Sequence, residues 1–292
     1  MDFNVRPAEG AEVRLCRMLL GNEGCTHPHY QLFVAEGENG LPVGVGSLRS
    51  GAEELGDYWT VHIEVVPTCR STGVEASLLA YARSHAASCG ATTLQTMRWF
   101  ERDSEEQLLW TSRGFAPQGV RYMHEIDIGP SFARMAPLIE QVREHGWIPA
   151  DAKIVSLAEA DLQQVCDLHL KYLGGSMRQL LPLLDGTAPH PYDRQASVVL
   201  LCGGQPIGFT LGWFPEPAVC EISANVLAPA VRLGWANVLL KYEALQRVMA
   251  RGATRFRFTT MERHTDSRKT LRWVGGGTTR VEVRLQCALE RA

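Results

Sequence analysis

The first half of this 292-residue sequence recurs in its second half, and this duplication limits the folds that the chain can adopt. Short stretches of matching residues follow one another in the same order in both halves, with a nearly constant offset after Pro42. The matched segments are 8–16 with 158–166, 42–44 with 206–208, 73–79 with 234–240, 90–92 with 252–254 and 103–114 with 266–277. Collinear matches of this kind indicate a repeated structural unit. The sequence therefore predicts two related domains, at 1–128 and 151–292, joined by a linker at 129–150.

One insertion distinguishes the second half from the first. The offset rises from 150 to 164 between Cys166 and Pro206, which places an insertion of 14 residues there. We predict that 176–195 is a surface segment that packs against the protein. Its first part is predicted to be a short helix that breaks at Pro182, because proline lacks a backbone donor. In the linker, Ser131 is predicted to cap a short helix that packs one apolar face against the protein.

Each half has a mixed succession of predicted strands and helices. Alternating apolar residues predict strands that pair around turns, and two long helices, 74–89 and 235–251, are each followed by a glycine suited to a left-handed C-cap. Each half is long enough for its own hydrophobic core. The predicted fold class is α/β (α+β), with two tandem domains that each consist of a mixed, mostly antiparallel sheet flanked by helices.

Charge and composition exclude several classes of protein. The net charge of -3 gives no large positive field, so nucleic acid is not an expected partner. No apolar run approaches the roughly 18 residues that a membrane-spanning helix needs. The polar start MDFNVRPAEG does not resemble a secretory signal, so we expect a cytoplasmic protein without a membrane partner. The eight cysteines include no C-x-x-C pair and no Cys/His cluster at zinc-ligand spacing, so no metal is expected. The sequence leaves a homodimer open.

At 65–79, VVPTCRSTGVEASLL, a predicted strand runs through a glycine-containing turn into a long helix. In such a turn the free amides of the first helical turn point at one spot and the helix dipole adds positive potential, which suits a phosphate group. A glycine that only permits a tight turn gives the same pattern. The segment is therefore a candidate anion site, and its interpretation depends on the surrounding sequence.

This turn resembles the signature of the GNAT superfamily, the GCN5-related N-acetyltransferases, in which V-x-P-x-x-(R/Q)-x-x-G-x-(G/A) leads into a helix. The first four named places hold Val65, Pro67, Arg70 and Gly73. Glu75 stands where the family usually has Gly or Ala. A later family motif, a helix that closes with an aromatic residue and then G-F, resembles 103–115, DSEEQLLWTSRGF. The resemblance covers most of each half, so the chain is similar to the tandem, two-domain type of mycothiol synthase-like proteins.

The resemblance implies an activity, a co-substrate and a set of contacts. GNAT proteins transfer an acetyl group from acetyl-CoA directly to an amine, and the expected acceptor here is a primary amine of a small molecule. The turn in the first half is the leading candidate for the cofactor site. The residues that the resemblance places at the cofactor are Val65, Val66, Arg70, Ser71, Thr72, Gly73, Val74 and Trp110 in the first half and Val226, Arg232, Gly234 and Ala236 in the second.

The second half matches the same signature less completely. In 226–240, VLAPAVRLGWANVLL, Ala228 stands in the place of the proline and Val231 in that of the arginine. Arg232 comes one place late. Ala236, by contrast, provides the small residue that the first half lacks. The two turns thus depart from the signature at different places.

Two ionisable residues precede the turn of the first half on a predicted strand. Period-two alternation places His62 and Glu64 side by side on one face, where either residue is suited to deprotonate an acceptor amine. A solvated strand face gives the same pattern. The equivalent residues of the second half, Ser223 and Asn225, are not bases near neutral pH. Many GNAT proteins have a tyrosine general acid before G-F, but Trp110 holds that place.

Three functions remain open on the sequence. The leading prediction is an N-acetyltransferase with His62 and Glu64 as catalytic residues. A non-catalytic acyl-CoA-binding or interaction protein is the first alternative, because Glu75 and the missing tyrosine depart from the family pattern. The second alternative is catalysis in the C-terminal domain with a degenerate N-terminal domain.

Overall fold

The computed structural model describes residues 3–21, 30–50, 58–70, 72–232 and 234–290, without the side chains of 265 and 266. The chain divides into two compact units. The N-terminal unit consists of Met1–Val120 together with Glu282–Ala292, and the C-terminal unit consists of Arg121–Val281. Each unit contains a mixed, mostly antiparallel sheet with flanking helices, which confirms the predicted fold class.

The N-terminal unit has the strand order β1-β2-β3-β4-β5-β13, and β6 also pairs with β13. Its strands are β1 (Asn4–Pro7), β2 (Tyr30–Glu36), β3 (Pro42–Ser50), β4 (Tyr58–Val65), β5 (Thr93–Thr96), β6 (Phe100–Glu101), the start of β7 (Ala116–Asp127) and the end of β13 (Gly277–Ala288). Its helices are α1 (Ala11–Leu19), α2 (Val74–Ser88) and α3 (Glu105–Ser112). The strands β4 and β5 are parallel, and the other described pairs are antiparallel.

The C-terminal unit has the strand order β8-β9-β10-β11-β12-β7, with β11 and β12 parallel. Its complete strands are β8 (Lys153–Ser156), β9 (Val198–Cys202), β10 (Gln205–Glu216), β11 (Val219–Leu227) and β12 (Arg255–Met261). Its helices are α4 (Ile128–Glu144), α5 (Leu162–Leu173), α6 (Met177–Asp185), α7 (Trp235–Ala250) and α8 (Thr265–Val274). The helix α6 lies in the predicted insertion and has no counterpart among the described residues of the first half.

The two units share one strand order, but each takes its last strand from the other half of the sequence. In the N-terminal unit β5 pairs with Gln286–Ala288 of β13, whereas in the C-terminal unit β12 pairs with Arg121–Asp127 of β7. At these strands the two compact units therefore do not coincide with the predicted domains, 1–128 and 151–292. The division into those domains remains a prediction about the sequence repeat.

In both units the parallel strand pair ends early and leaves a wedge. The pairing of β4 with β5 ends at Val61 and Thr96, and the pairing of β11 with β12 ends at Ile222 and Phe258. The strands β4 and β11 both continue beyond these pairs. Their last residues consequently border open space, and both pockets described below lie at these strand ends.

Helices α2 and α7 hold their first turns beside these strand ends by burying one face. The fully buried residues of α2 recur at helical spacing and are Val74, Leu78, Ala82 and Ala86. The buried residues of α7 are Ala236, Leu239, Leu240, Ala244, Leu245 and Val248. Small residues on both faces allow the helix backbone to approach the sheet closely.

Two local predictions are wrong. The helix α4 begins before Ser131, whose buried hydroxyl is therefore free to donate a hydrogen bond to the Val274 carbonyl at 3.2 Å instead of capping a helix. The helix α6 runs through Pro182 rather than breaking there. The side chains of Leu180 and Leu184 are buried on one face of this helix, and their packing offsets the hydrogen bond that the proline cannot make.

The described residues form neither a metal-binding cluster nor a membrane-spanning helix. No group of three or more His, Cys, Asp or Glu side chains in them is arranged to hold a metal ion. In the same part of the chain, no helix is both long enough and apolar enough to cross a membrane.

Candidate functional site

A pocket of about 350 Å³ opens in the N-terminal unit where β4 has run past its last pair with β5. Its ionisable lining residues are His62, Glu64, Arg70, Glu75, Arg98, Glu105, Glu106 and Arg113. Trp110 forms part of the wall and packs edge-on against Phe115, with ring centroids 4.9 Å apart. The pocket therefore brings the two predicted bases, His62 and Glu64, together with Arg70. Arg70 belongs to the predicted anion-binding turn between β4 and α2, called the phosphate turn below, and the equivalent turn between β11 and α7 has the same name.

His62 and Glu64 lie side by side, as the alternation along β4 predicts. The Nε2 atom of His62 is 3.3 Å from Oε1 of Glu64, and the same oxygen accepts a hydrogen bond from Nη1 of Arg98 at 2.9 Å. The hydrogen bond with His62 is the largest cause of a lowered pKa at Glu64, and the charges of Arg98 and Arg70 lower this pKa further. A general base works best with a pKa near the working pH. Glu64 is therefore a weak base in this arrangement.

Glu75 occupies the place that the GNAT signature gives to a small residue. It lies in the first turn of α2, it lines the pocket, and only 12% of its side chain is exposed. Its Oε2 atom is buried without a hydrogen-bond partner among the described residues and lies 3.9 Å from Nη2 of Arg113. A carboxylate at a helix N-terminus uses the positive potential that a bound phosphate needs. The N-terminal pocket thus already holds an anionic group at its phosphate turn.

A second pocket, of about 420 Å³, opens in the C-terminal unit at the end of β11. Its polar and charged lining residues are Tyr172, Thr210, Ser223, Asn225, Arg232, Asn237, Lys241, Thr259, Thr260, Arg263, His264, Ser267 and Thr270. The described residues contribute no carboxylate to this lining. Because Arg232, Lys241 and Arg263 are cationic, the described wall of this pocket favours an anionic ligand.

His264 is the one imidazole in the described lining of the C-terminal pocket. Burial lowers the pKa of His264, and the neighbouring charges of Arg263 and Arg232 lower it further. Its Nδ1 atom accepts a hydrogen bond from the backbone amide of Met261 at 3.3 Å. The ring is therefore neutral near pH 7, and one of its nitrogens is already engaged by the backbone.

The phosphate turn of the C-terminal unit is one residue shorter than its N-terminal counterpart. In both units a 3-10 turn that begins with proline is followed by arginine: Pro67 and Arg70 in one, Pro229 and Arg232 in the other. Three residues separate the arginine from α2, but only two separate it from α7. Pro229 and Arg232 therefore take the structural places of Pro67 and Arg70. The prediction that Ala228 replaces the proline is wrong, because a one-residue deletion shifts the spacing.

The pockets include only part of the predicted contact set. The predicted residues in their linings are His62, Glu64, Val65, Arg70 and Trp110 in the N-terminal unit and Val226 and Arg232 in the C-terminal unit. Thr72 donates its hydroxyl to the Cys69 carbonyl at 2.6 Å. The side chains of Val74 and Ala236 are buried beneath the first turns of α2 and α7 and line neither pocket. Ser71 lies outside the described residues. Three further residues lie in the turns without lining a pocket: Val66, Gly73 and Gly234.

Sequence reasoning missed most of the cationic residues of the C-terminal pocket. Lys241 follows Asn237 by four residues and shares its helical face, so the spacing along α7 was a signal that could have identified it. Arg263 and His264 follow β12 and meet α7 only through the tertiary fold. No pattern near them in the sequence indicates that contact.

The solved structures that match this chain include GNAT proteins, whereas no family model and no curated protein matches it. A tandem GNAT protein from the clavulanic acid biosynthesis pathway matches with a TM-score of 0.64 over 100% of both chains, at 16% identity. A GCN5-related N-acetyltransferase from Sphaerobacter thermophilus matches with a TM-score of 0.61 over 99% of this chain and 96% of its own, at 14% identity. Eis1 from Mycobacterium abscessus matches with a TM-score of 0.58 over 98% of this chain and 73% of its own, at 12% identity. The chain therefore has the tandem GNAT fold, as its sequence predicted.

Proposed function

We propose that this protein is an N-acetyltransferase that moves an acetyl group from acetyl-CoA to a primary amine of a small molecule, with the cofactor in the C-terminal unit. The observation that carries the proposal is the contrast in charge between the two pockets. Arg232, Lys241 and Arg263 line the C-terminal pocket without a carboxylate among the described residues, whereas Glu75 lies at the phosphate turn of the other. CoA carries phosphate groups, so the C-terminal pocket attracts it and Glu75 repels it from the N-terminal pocket.

The first turn of α7 supports phosphate binding at the C-terminal pocket. Gly234 is the N-cap residue, and no side chain caps this helix in the described structure. The amide of Asn237 donates to the Gly234 carbonyl at 3.1 Å, which leaves the amides of Trp235 and Ala236 for a ligand. The helix dipole adds positive potential at the same place. Arg232 precedes the helix and supplies a fork of N–H donors that fits a phosphate. The pocket thus combines backbone donors with cationic side chains.

The expected reaction is direct acyl transfer at the wedge between β11 and β12. The amine lone pair attacks the thioester carbonyl carbon, a C–N bond forms, the C–S bond breaks, and the electron pair of that bond leaves on the sulfur of CoA. The amine loses one proton in the process. The name N-acetyltransferase borne by the Sphaerobacter thermophilus structure supports an acetyl donor and an amine acceptor.

Thiol release from acetyl-CoA across a panel of primary amines tests this function. We expect turnover with at least one amine, and we expect CoA to raise the Tm of the protein. A CoA-induced shift without turnover of any amine would favour the non-catalytic acyl-CoA-binding alternative. An unchanged Tm together with no turnover would contradict the proposal in both its parts.

The hydrogen-bonded pair of His62 and Glu64 favours a second candidate, catalysis in the N-terminal unit. With the cofactor in the C-terminal unit, Glu64→Gln is expected to change kcat for thiol release by less than about twofold, because loss of a general base affects only the pocket in which it works. His62→Gln is the matched variant and is expected to behave in the same way. A loss of about 10²-fold in either variant, with CoA affinity kept, would place the chemistry in the N-terminal unit.

A further inference from the structure

A buried histidine lies directly behind the wall of the C-terminal pocket. His124, on β7, has no exposed surface, and its Nε2 atom is 2.8 Å from Oγ1 of Thr260 on β12. On the other side of the ring, Nδ1 is 3.2 Å from Oγ1 of Thr278. The rings of Tyr122 and Phe258 flank the imidazole, with centroids 6.3 and 5.0 Å away. The imidazole is therefore fixed in orientation and shielded from water.

Thr260 connects this histidine to the pocket. It lies on β12 two residues beyond Phe258, where pairing with β11 ends, and it lines the pocket although only 3% of the residue is exposed. His124 does not line the pocket. The hydroxyl of Thr260 is therefore the group through which a ligand in the pocket can exchange a proton with the buried imidazole.

The ionisation of His124 suits such an exchange. Burial lowers the pKa of His124, and the charge of Arg268 lowers it further, although a hydrogen bond with the backbone of Gly277 acts in the opposite direction. The ring is consequently neutral near pH 7. A neutral ring that donates from Nδ1 towards Thr278 presents the lone pair of Nε2 to the hydroxyl of Thr260.

The reaction needs a group that accepts the proton of the amine, and the described lining of the C-terminal pocket contains no carboxylate for this role. Ser223 and Asn225 are not bases, and both ring nitrogens of His264 already face donors: the amide of Met261 is 3.3 Å from Nδ1 and Nε of Arg263 is 3.5 Å from Nε2. A hydroxyl with an oriented imidazole at hydrogen-bond distance is the arrangement by which proteins move protons at a hydroxyl group.

We propose that Thr260 and His124 form the proton relay of the C-terminal unit. When the amine nitrogen has bonded to the thioester carbon, its excess proton passes to Oγ1 of Thr260, while the hydroxyl proton of Thr260 passes to Nε2 of His124. The C–S bond then breaks with its electron pair on sulfur. The reverse path returns the proton from the His124 imidazolium to the CoA thiolate, so the relay ends in its starting state.

This inference rests on the proposed acyl transfer, and threonine variants test it separately. Thr260→Val keeps the shape of the side chain but removes the hydroxyl, and it is expected to lower kcat about 10²-fold while the KM for acetyl-CoA and the CoA-induced shift in Tm stay within twofold. Thr260→Ser restores the hydroxyl and is expected to recover kcat to within about fivefold of wild type. Thr279→Val, at an exposed threonine outside the pocket lining, is the control and is expected to keep the wild-type kcat.

His124 supplies the second half of the test. His124→Gln is expected to lower kcat as much as Thr260→Val, and the double variant is expected to lose little more than either single variant, because the two residues act in one step. Wild-type kcat in Thr260→Val, or a Thr260→Ser variant as slow as Thr260→Val, would overturn the relay even if His124→Gln fails to fold. Absence of turnover in the wild-type protein would overturn the proposed function and the relay with it, whereas an active wild type with an equally active Thr260→Val overturns the relay alone.

Discussion

The Gly234→Asp variant is expected to lose the stabilisation that CoA gives to the wild-type protein. A ligand at 100 times its Kd adds about 2.7 kcal/mol to the free energy of unfolding, which corresponds to a rise in Tm of about 5 to 10 °C for units of this size. The introduced carboxylate lies at the N-terminus of α7, where it competes with a phosphate for the same amides and potential. Thermal unfolding with and without CoA measures this loss.

Gly234 suits this test because a side chain there costs little by itself. Its φ of -125° is extended backbone that any residue adopts, and no described atom lies within 4 Å of a Cβ at this position. Gly234→Asn has the same shape as Gly234→Asp without the charge, so it is expected to keep most of the CoA-induced shift.

Gly73→Asp tests the turn of the N-terminal unit. Because Gly73 has a φ of 98°, the substitution makes the unliganded protein less stable, but the CoA-induced shift in Tm is expected to remain. A shift lost in Gly73→Asp and kept in Gly234→Asp would move the cofactor to the N-terminal unit.

The fold was predictable where residues that contact one another are close in the sequence. Alternation and turn residues predicted the strand pairs and helices of each half, and these elements are present. The exchange of last strands was not predictable, because alternation shows which face of a strand is buried but not which strand pairs with it. The strands β7 and β13 follow equivalent helices in the repeat, so either one suits either sheet.

The C-terminal turn shows why a spaced motif is weaker than the geometry that it represents. Arg70 has extended backbone, with ψ 145°, whereas Arg232 has helical backbone, with ψ -33°, and this difference absorbs the missing residue before α7. The proline and the arginine keep their places in the 3-10 turn. Counting residues from the signature therefore misplaced both, although both are present.

The two candidate pairs for proton transfer differ in whether the sequence could predict their contact. His62 and Glu64 are two residues apart on one strand, so the period of a strand predicted their contact, and the structure has it at 3.3 Å. His124 and Thr260 are 136 residues apart and meet only because β7 pairs with β12 in the C-terminal unit. Their contact could not be inferred without the strand exchange.

The Glu75→Ala variant is expected to give the N-terminal pocket an affinity for CoA. Like charges brought together at a binding surface cost several kcal/mol, so removing this carboxylate should tighten CoA binding at least tenfold. It also leaves the Arg113 guanidinium, 3.9 Å from the carboxylate in the wild type, available to a phosphate. Alanine favours helix, so the first turn of α2 should keep its structure. The measurement is titration calorimetry in the Gly234→Asp background, where C-terminal binding is absent.

In that background we expect no CoA binding before the change and one equivalent after it. Glu38→Ala is the control, because Glu38 is exposed in the turn between β2 and β3 and its removal changes the charge of the N-terminal unit equally without altering the pocket. Binding in the Glu38→Ala control would mean that net charge, rather than the position of Glu75, excludes CoA. If neither variant binds, repulsion by Glu75 does not explain the proposed preference of CoA for the C-terminal unit, and the cationic residues of the C-terminal pocket must account for that preference alone.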